Sequence, residues 1–203
     1  MRRTKEEAAK TRQDLLDAAL ETFSVKGYQA TRLQDIAKAA GTTRGAIYHH
    51  FENKAALYKT LAIEANQLGN EMIANAVSEG GSFREICQRI FINGLKLIEQ
   101  NERFQQVMAL SLYKTGVSDE LAEIEEMRLT SAVTTIEQMV GMFQMGVAGG
   151  DLRQDIDLHT IARTFIAFQN GAAWLWLNSG QNFSLSEAAP KFADILFTGI
   201  GSE

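Results

Sequence analysis

Thr43, Arg44, Gly45, Tyr48 and His49 fall within one short stretch, TTRGAIYHH, whose side chains are mostly hydrogen-bonding rather than apolar. Their chemistry suits a DNA groove. Arg44 carries the planar fork that pairs bidentately with guanine O6 and N7, and Thr43 can touch a base edge or meet a thymine methyl through its own methyl. Gly45 removes bulk, so the start of a helix can come close to a nucleic acid. Tyr48 and His49 are long enough to reach phosphates or bases. Thr31 and Lys54 sit at two other expected helix N-termini, where free N–H groups and the helix dipole favour phosphate. Catalysis is poorly represented: there is no nucleophile elbow, Gly-rich phosphate loop, zinc spacing or apolar carboxylate pair. His49 and His50 are adjacent, so they do not share a helix face, and His159 stands alone at a helix start. The expectation is no enzyme, no metal and no cofactor.

The elements that must position these groups are helical. Thr4 with Glu7 makes a capping box before an apolar run through Leu15, Leu16, Ala19 and Phe23, which Gly27 ends. Thr31 with Gln34 makes a second box ahead of Leu33, Ile36, Ala37 and Ala40, and Gly41 supplies the corner before a third helix at about 43–50. Helices two and three form a helix-turn-helix candidate, with the first helix completing its core. Asn53 caps a long fourth helix to about Val77. SEGGS at 78–82 reads as a linker, and Ser82 with Glu85 opens a fifth helix to about Glu99. A sixth covers Glu102–Lys114. The seventh starts at Ser118 or Asp119 and runs to about Val147, before Gly149-Gly150. Asp155 or Asp157 caps the eighth, and Ser184 with Glu187 the ninth, with Pro190 early in it. The pattern predicts an all-α, nine-helix protein with a DNA-binding head at 1–52 and a helical body at 53–203.

Charge supports that division. The 203-residue chain has net charge −5, which alone argues against nucleic acid. Yet residues 1–60 hold 11 Lys/Arg against 7 Asp/Glu, and the remainder holds 9 against 18. A basic head on an acidic body points to a polyanion partner for the head. The lone Cys87 precludes an intrachain disulfide and fits a reducing cytoplasm. The charged start MRRTKEEAAKTRQ does not read as a secretory signal, and no window is apolar enough to predict a membrane span.

At this level the chain resembles a known family. ATRLQDIAKAAGTTRGAIYHHFENKAALYKTL, residues 30–61, is similar to the DNA-binding head of the TetR family of bacterial repressors, and residues 4–28 are similar to its first helix. The opening and NFSLSEAAPKFADILFTGI resemble the AcrR-type branch, repressors of multidrug-efflux operons. Thr42 stands where the family more often has Val, and His49 where the efflux branch often has Trp. The resemblance implies a homodimer whose third helices enter successive major grooves of a palindromic operator. It implies base or phosphate contacts from Thr43, Arg44, Gly45, Tyr48 and His49, and phosphate contacts from Thr31 and Lys54. It also implies that the last two helices pair across a two-fold axis, and that a ligand cavity lies between the middle helices.

The body has the side chains for such a cavity. Met108, Met127, Met139, Met142, Phe143, Phe165 and Trp176 are soft or aromatic, suited both to a core and to varied apolar ligands. Phe104, Met108 and Leu112 form a stripe on the sixth helix, and Ile166 and Gln169 another on the eighth. With Phe143, these are the expected ligand contacts. Gln169 is a polar amide amid FIAFQNGAAWLW, placed either to orient a ligand or to pair with its mate across a subunit interface. The resulting expectation is a ligand-responsive repressor, released from its operator by a small apolar or aromatic effector, with efflux as the regulated function. The alternative is a non-transcriptional DNA binder of the same fold, with a protein partner and a role in chromosome organisation or division control.

Overall fold

The computed structural model describes residues 5–113, 122–152 and 155–200. Among them lie nine α-helices: α1 (Lys5–Lys26), α2 (Leu33–Ala39), α3 (Arg44–His50), α4 (Lys54–Ser78), α5 (Phe83–Gln100), α6 (Glu102–Tyr113), α7 (Ala122–Ala148), α8 (Leu158–Asn178) and α9 (Leu185–Ile200). No β-strand occurs among the described residues. The expected caps at Thr4 and at Ser118 or Asp119 lie outside them.

Two compact units divide the chain. One comprises Met1–Gln67 with Arg103–Glu125, the other Leu68–Glu102 with Glu126–Glu203. This differs from the boundary expected between residues 52 and 53. Leu57, Tyr58 and Leu61 of α4 are fully or almost fully buried in the first unit's core, as are Val107 and Leu110 of α6. Their partners are Leu15, Leu16, Ala19 and Phe23 of α1, Ile36 and Ala37 of α2, and Ile47 of α3. Helices α1, α2 and α3 alone would leave this apolar surface exposed, and the first part of α4 with α6 covers it. Arg103 fixes α6 in this unit by ion pairs with Asp17 of α1 and Glu64 of α4.

In the second unit, α5, α8 and α9 pack on one another. Phe165 is the hub of an aromatic cluster. Its ring centroid lies 5.3 Å from Phe91, 6.0 Å from Phe143 and 6.2 Å from Phe197, all at steep interplanar angles. Edge-to-face arrangements of this kind are favoured by the ring quadrupole. The N-terminus of α9 has every donor accounted for. Leu185 N and Ser186 N donate to Glu99, Glu187 N to Ser184 Oγ, and Ala188 N to Ser184 O. Pro190 is the sixth residue of α9 and is exposed.

Candidate nucleic-acid interface and ligand cavity

The turn that projects α3 is built by Gly41. Its φ is +62°, a conformation that suits glycine, and it closes α2 in a Schellman arrangement. Thr42 N donates to Ala37 O at 2.9 Å and Gly41 N to Lys38 O at 3.2 Å. Thr43 then caps α3, its hydroxyl accepting from Ala46 N at 3.2 Å. Ile47 is the buried residue that docks the helix, while Thr43, Arg44, Gly45, Tyr48 and His49 are all exposed. The five residues therefore share one accessible helix, and Arg44 and Tyr48 interact directly. Arg44 Nη2 donates to Tyr48 Oη at 2.7 Å.

Gly45 has no internal reason to be glycine. A Cβ there would approach only Thr43 Oγ1, at an ordinary 3.7 Å. Glycine inside a helix costs about 1 kcal/mol relative to alanine. A destabilising residue kept on an exposed face, with open space around it, fits close approach by something outside the chain.

Thr31 and Lys54 are placed differently from the phosphate anchors expected of them. Thr31 is 1% exposed, and its hydroxyl donates to Gly27 O at 2.7 Å. Arg32 is the N-cap of α2, so Thr31 lies one residue outside the cap position, and its hydroxyl closes the turn after α1 instead. The reciprocal role passes to Asp35, whose carboxylate accepts from Arg32 N at 3.0 Å, so the Thr31–Gln34 capping box is replaced. That bond and the Lys26 ammonium hold the Asp35 carboxyl below its usual range. Lys54 is 9% exposed. Its ammonium donates to Tyr28 O and Thr31 O, each at 3.1 Å, and lies 4.3 Å from the Tyr28 ring centroid. A lysine stem of four carbons is long enough to turn its charge inward onto main-chain carbonyls. The side chain pins the α1–α2 connection to α4.

A cavity of about 590 Å³ opens in the second unit. Asn70, Met72 and Ile73 of α4 line it, with Ile90 of α5, then Ile136, Met139 and Met142 of α7, and Phe165, Ile166 and Gln169 of α8. Of the expected ligand contacts, Ile166 and Gln169 are on its wall. Phe143 is fully buried in the aromatic cluster behind it. Phe104 packs against the first unit's core, and Met108 belongs to that unit, so the α6 stripe is not part of this lining. The side chains of Leu112 and Met127 lie outside the described residues. Met72 and Ile73 were missed because α4 reads as a connector.

None of the cavity's described lining side chains is ionisable. Cys87 is buried and lies elsewhere; burial, helped by the charge of Asp151, pushes its thiol up to about 12, which leaves it unreactive. Among the described residues no cluster of three or more His, Cys, Asp or Glu could hold a metal ion, and no helix is long and apolar enough to cross a membrane.

An exposed, basic-tipped third helix behind a glycine turn, in a chain that also holds a neutral apolar cavity, defines a helix-turn-helix regulator. Residues 15–61 match the family of bacterial regulatory proteins called tetR, and residues 83–200 match the C-terminal region of MAATS-type transcriptional repressors. The chain belongs to the TetR family, in its AcrR-type branch, and is a DNA-binding transcriptional regulator. It is 33% identical to the probable acrEF/envCD operon repressor of Escherichia coli K12 over 199 residues, 95% of this chain and 88% of that protein. It is 29% identical to the transcriptional regulator AcrR of Shigella flexneri, over 96% of this chain and 91% of that one. The crystal structure of NalD, the secondary repressor of the MexAB-OprM multidrug efflux pump in Pseudomonas aeruginosa, superposes with a TM-score of 0.79 at 27% identity. That match covers 98% of this chain and 100% of NalD.

Proposed function

We propose that the protein is a homodimeric repressor that leaves a palindromic operator when a small apolar or aromatic molecule fills the cavity of its second unit, and that the operator controls an efflux transporter. The observation that carries the reading is α4. Leu57, Tyr58 and Leu61 of this helix are held in the core that supports α3, while Asn70, Met72 and Ile73 of the same helix line the cavity. A ligand that displaces the second set of side chains acts on the element that carries the first. Arg44 and Thr43 read bases, Tyr48 and His49 reach bases or phosphates, and Gly45 allows the close approach. Dimerisation through α8 and α9 is supported by Trp174, Leu175 and Ile195, which are 47%, 58% and 65% exposed. Large side chains so placed on two neighbouring helices fit a self-complementary contact. Efflux as the regulated function is supported by the names of the similar proteins, the acrEF/envCD repressor and NalD among them.

The test is a mobility-shift titration of the DNA flanking the gene, searched for a palindrome beside a transporter gene. Sequence-specific retardation by a dimer, reversed by an apolar compound that the protein binds, supports the reading. Retardation of all DNA alike, or many scattered sites, contradicts it.

A further inference from the structure

Gly94 of α5 and Gln169 of α8 form a matched pair. A Cβ on residue 94 would lie 2.1 Å from Gln169 Nε2, so the carboxamide occupies space that only glycine leaves open. Seated there, Nε2 donates to Phe91 O at 3.1 Å. A main-chain carbonyl cannot donate, so this bond fixes which end of the amide is nitrogen. Oε1 is thereby the end left to accept, and no donor among the described residues is bonded to it. Gln169 is half-buried, whereas the cavity's other polar lining residues, Asn70, Thr135, Gln138 and Asn170, are exposed. It is thus the one inward polar group of the lining held in a set orientation. Around it stand Phe165, Met139 and Met142, which suit an aromatic ring. An ion entering this lining finds no counter-charge, and burying an unpaired charge is costly.

We propose that Gln169 Oε1 determines effector specificity, selecting an uncharged ring-bearing molecule that offers a hydrogen-bond donor, such as a phenolic hydroxyl. Gly94 and Phe91 O act as the cradle that holds the amide in register. This rests on the cavity being the effector site, as in the reading above.

Isothermal titration of the full-length protein with three biphenyl probes tests it: 4-phenylphenol, 4-methoxybiphenyl, and 4-phenylbenzylamine, which is a cation at neutral pH. The wild type should bind the phenol roughly fivefold to tenfold more tightly than the ether, the range expected of one neutral hydrogen bond. The cation should bind more weakly than the phenol despite its donors. In Gln169→Met the phenol and ether should bind alike, and Gly94→Ala, which displaces the amide, should narrow the same gap. The wild-type comparison needs no variant to fold. Equal binding of phenol and ether by the wild type overturns the proposal while leaving the cavity as the effector site. So does a preference that survives unchanged in both variants, or a cation that binds most tightly. If none of the three probes binds, the effector-site reading fails together with this inference.

Discussion

Arg44 Nη2 donates to Tyr48 Oη at 2.7 Å across one turn of α3, and the guanidinium carbon lies 5.3 Å from the tyrosine ring centroid. Both side chains are exposed, so the pair orders a long, flexible arginine before any DNA is present. A guanidinium held on a ring loses less freedom when it meets a base edge. Arg44→Ala should therefore cost about 1–3 kcal/mol on the operator and relax discrimination at one base per half-site. Tyr48→Phe keeps the ring but removes the hydrogen bond, and should cost less. Binding to a set of single-base operator variants checks both. Undiminished discrimination without Arg44 would contradict its assignment as a base reader.

Gly45 offers a test in which stability and affinity move in opposite directions. Gly45→Ala should raise the stability of the protein by up to about 1 kcal/mol, because alanine is the better helix former and meets nothing within the chain. In the proposed mode of binding the same methyl faces the groove, and it should weaken operator binding. Denaturant unfolding and an operator titration of the same preparation measure the two effects. A variant that is more stable and binds equally well would show that the approach is not close there.

Lys54 should behave as a core residue. Lys54→Met removes the donor to Tyr28 O and Thr31 O and should lower stability by about 2–3 kcal/mol, the scale for buried hydrogen bonds to a charged group. The salt dependence of operator binding should keep its slope in the folded variant. Each phosphate contact adds about one counterion to that slope. A slope shallower by one per subunit, with stability unchanged, would restore Lys54 to the phosphate contacts.

Glu99 predicts a pH effect on the second unit. Burial would raise its pKa, but hydrogen bonds from Ser186, Ser184 and Leu185 outweigh burial and leave it lowered. A carboxyl depressed in the folded state contributes stability that is present above its unfolded value, near 4.5, and is lost as pH falls through the folded value. Glu99→Gln, which presents an amide N–H₂ to backbone donors, should be less stable than the wild type at pH 7. The difference should shrink as pH is lowered from about 4.5 through the folded value, below which both carry a neutral group. Urea unfolding of both proteins across this range checks it. A difference that is independent of pH would mean that the carboxylate charge does not support α9.

The comparison of sequence with structure turns on the range of the interactions concerned. Gly41, Ser82 with Glu85, Asp157 and Ser184 act within a few residues of themselves, and each does in the fold what its local pattern indicates. The exposed face of α3 was legible for the same reason, since a turn and a short polar helix are local. Lys54 was not, because its partners are 23 and 26 residues earlier and nothing near it marks the charge as turned inward. Thr31 falls one residue outside the cap position, because α2 starts at Leu33 with Arg32 as its N-cap, and its hydroxyl bonds Gly27 O instead. The stripe of Phe104 and Met108 has the correct period for a buried face. Which unit buries it depends on ion pairs from Arg103 to Asp17 and Glu64, at separations that periodicity does not report. Gln169 was visible as an anomaly, but the glycine that admits it lies in another helix.

In the proposed mechanism cavity and operator compete through one protein, and reciprocal binding measures that competition. Fluorescence anisotropy gives the Kd for a labelled palindromic duplex from the DNA flanking the gene, with and without a saturating compound that binds the cavity. Calorimetry gives the Kd of that compound for the free and the operator-bound protein. The compound should weaken operator binding, and the operator should weaken compound binding by the same factor. Equal affinity of the compound for free and operator-bound protein would contradict it.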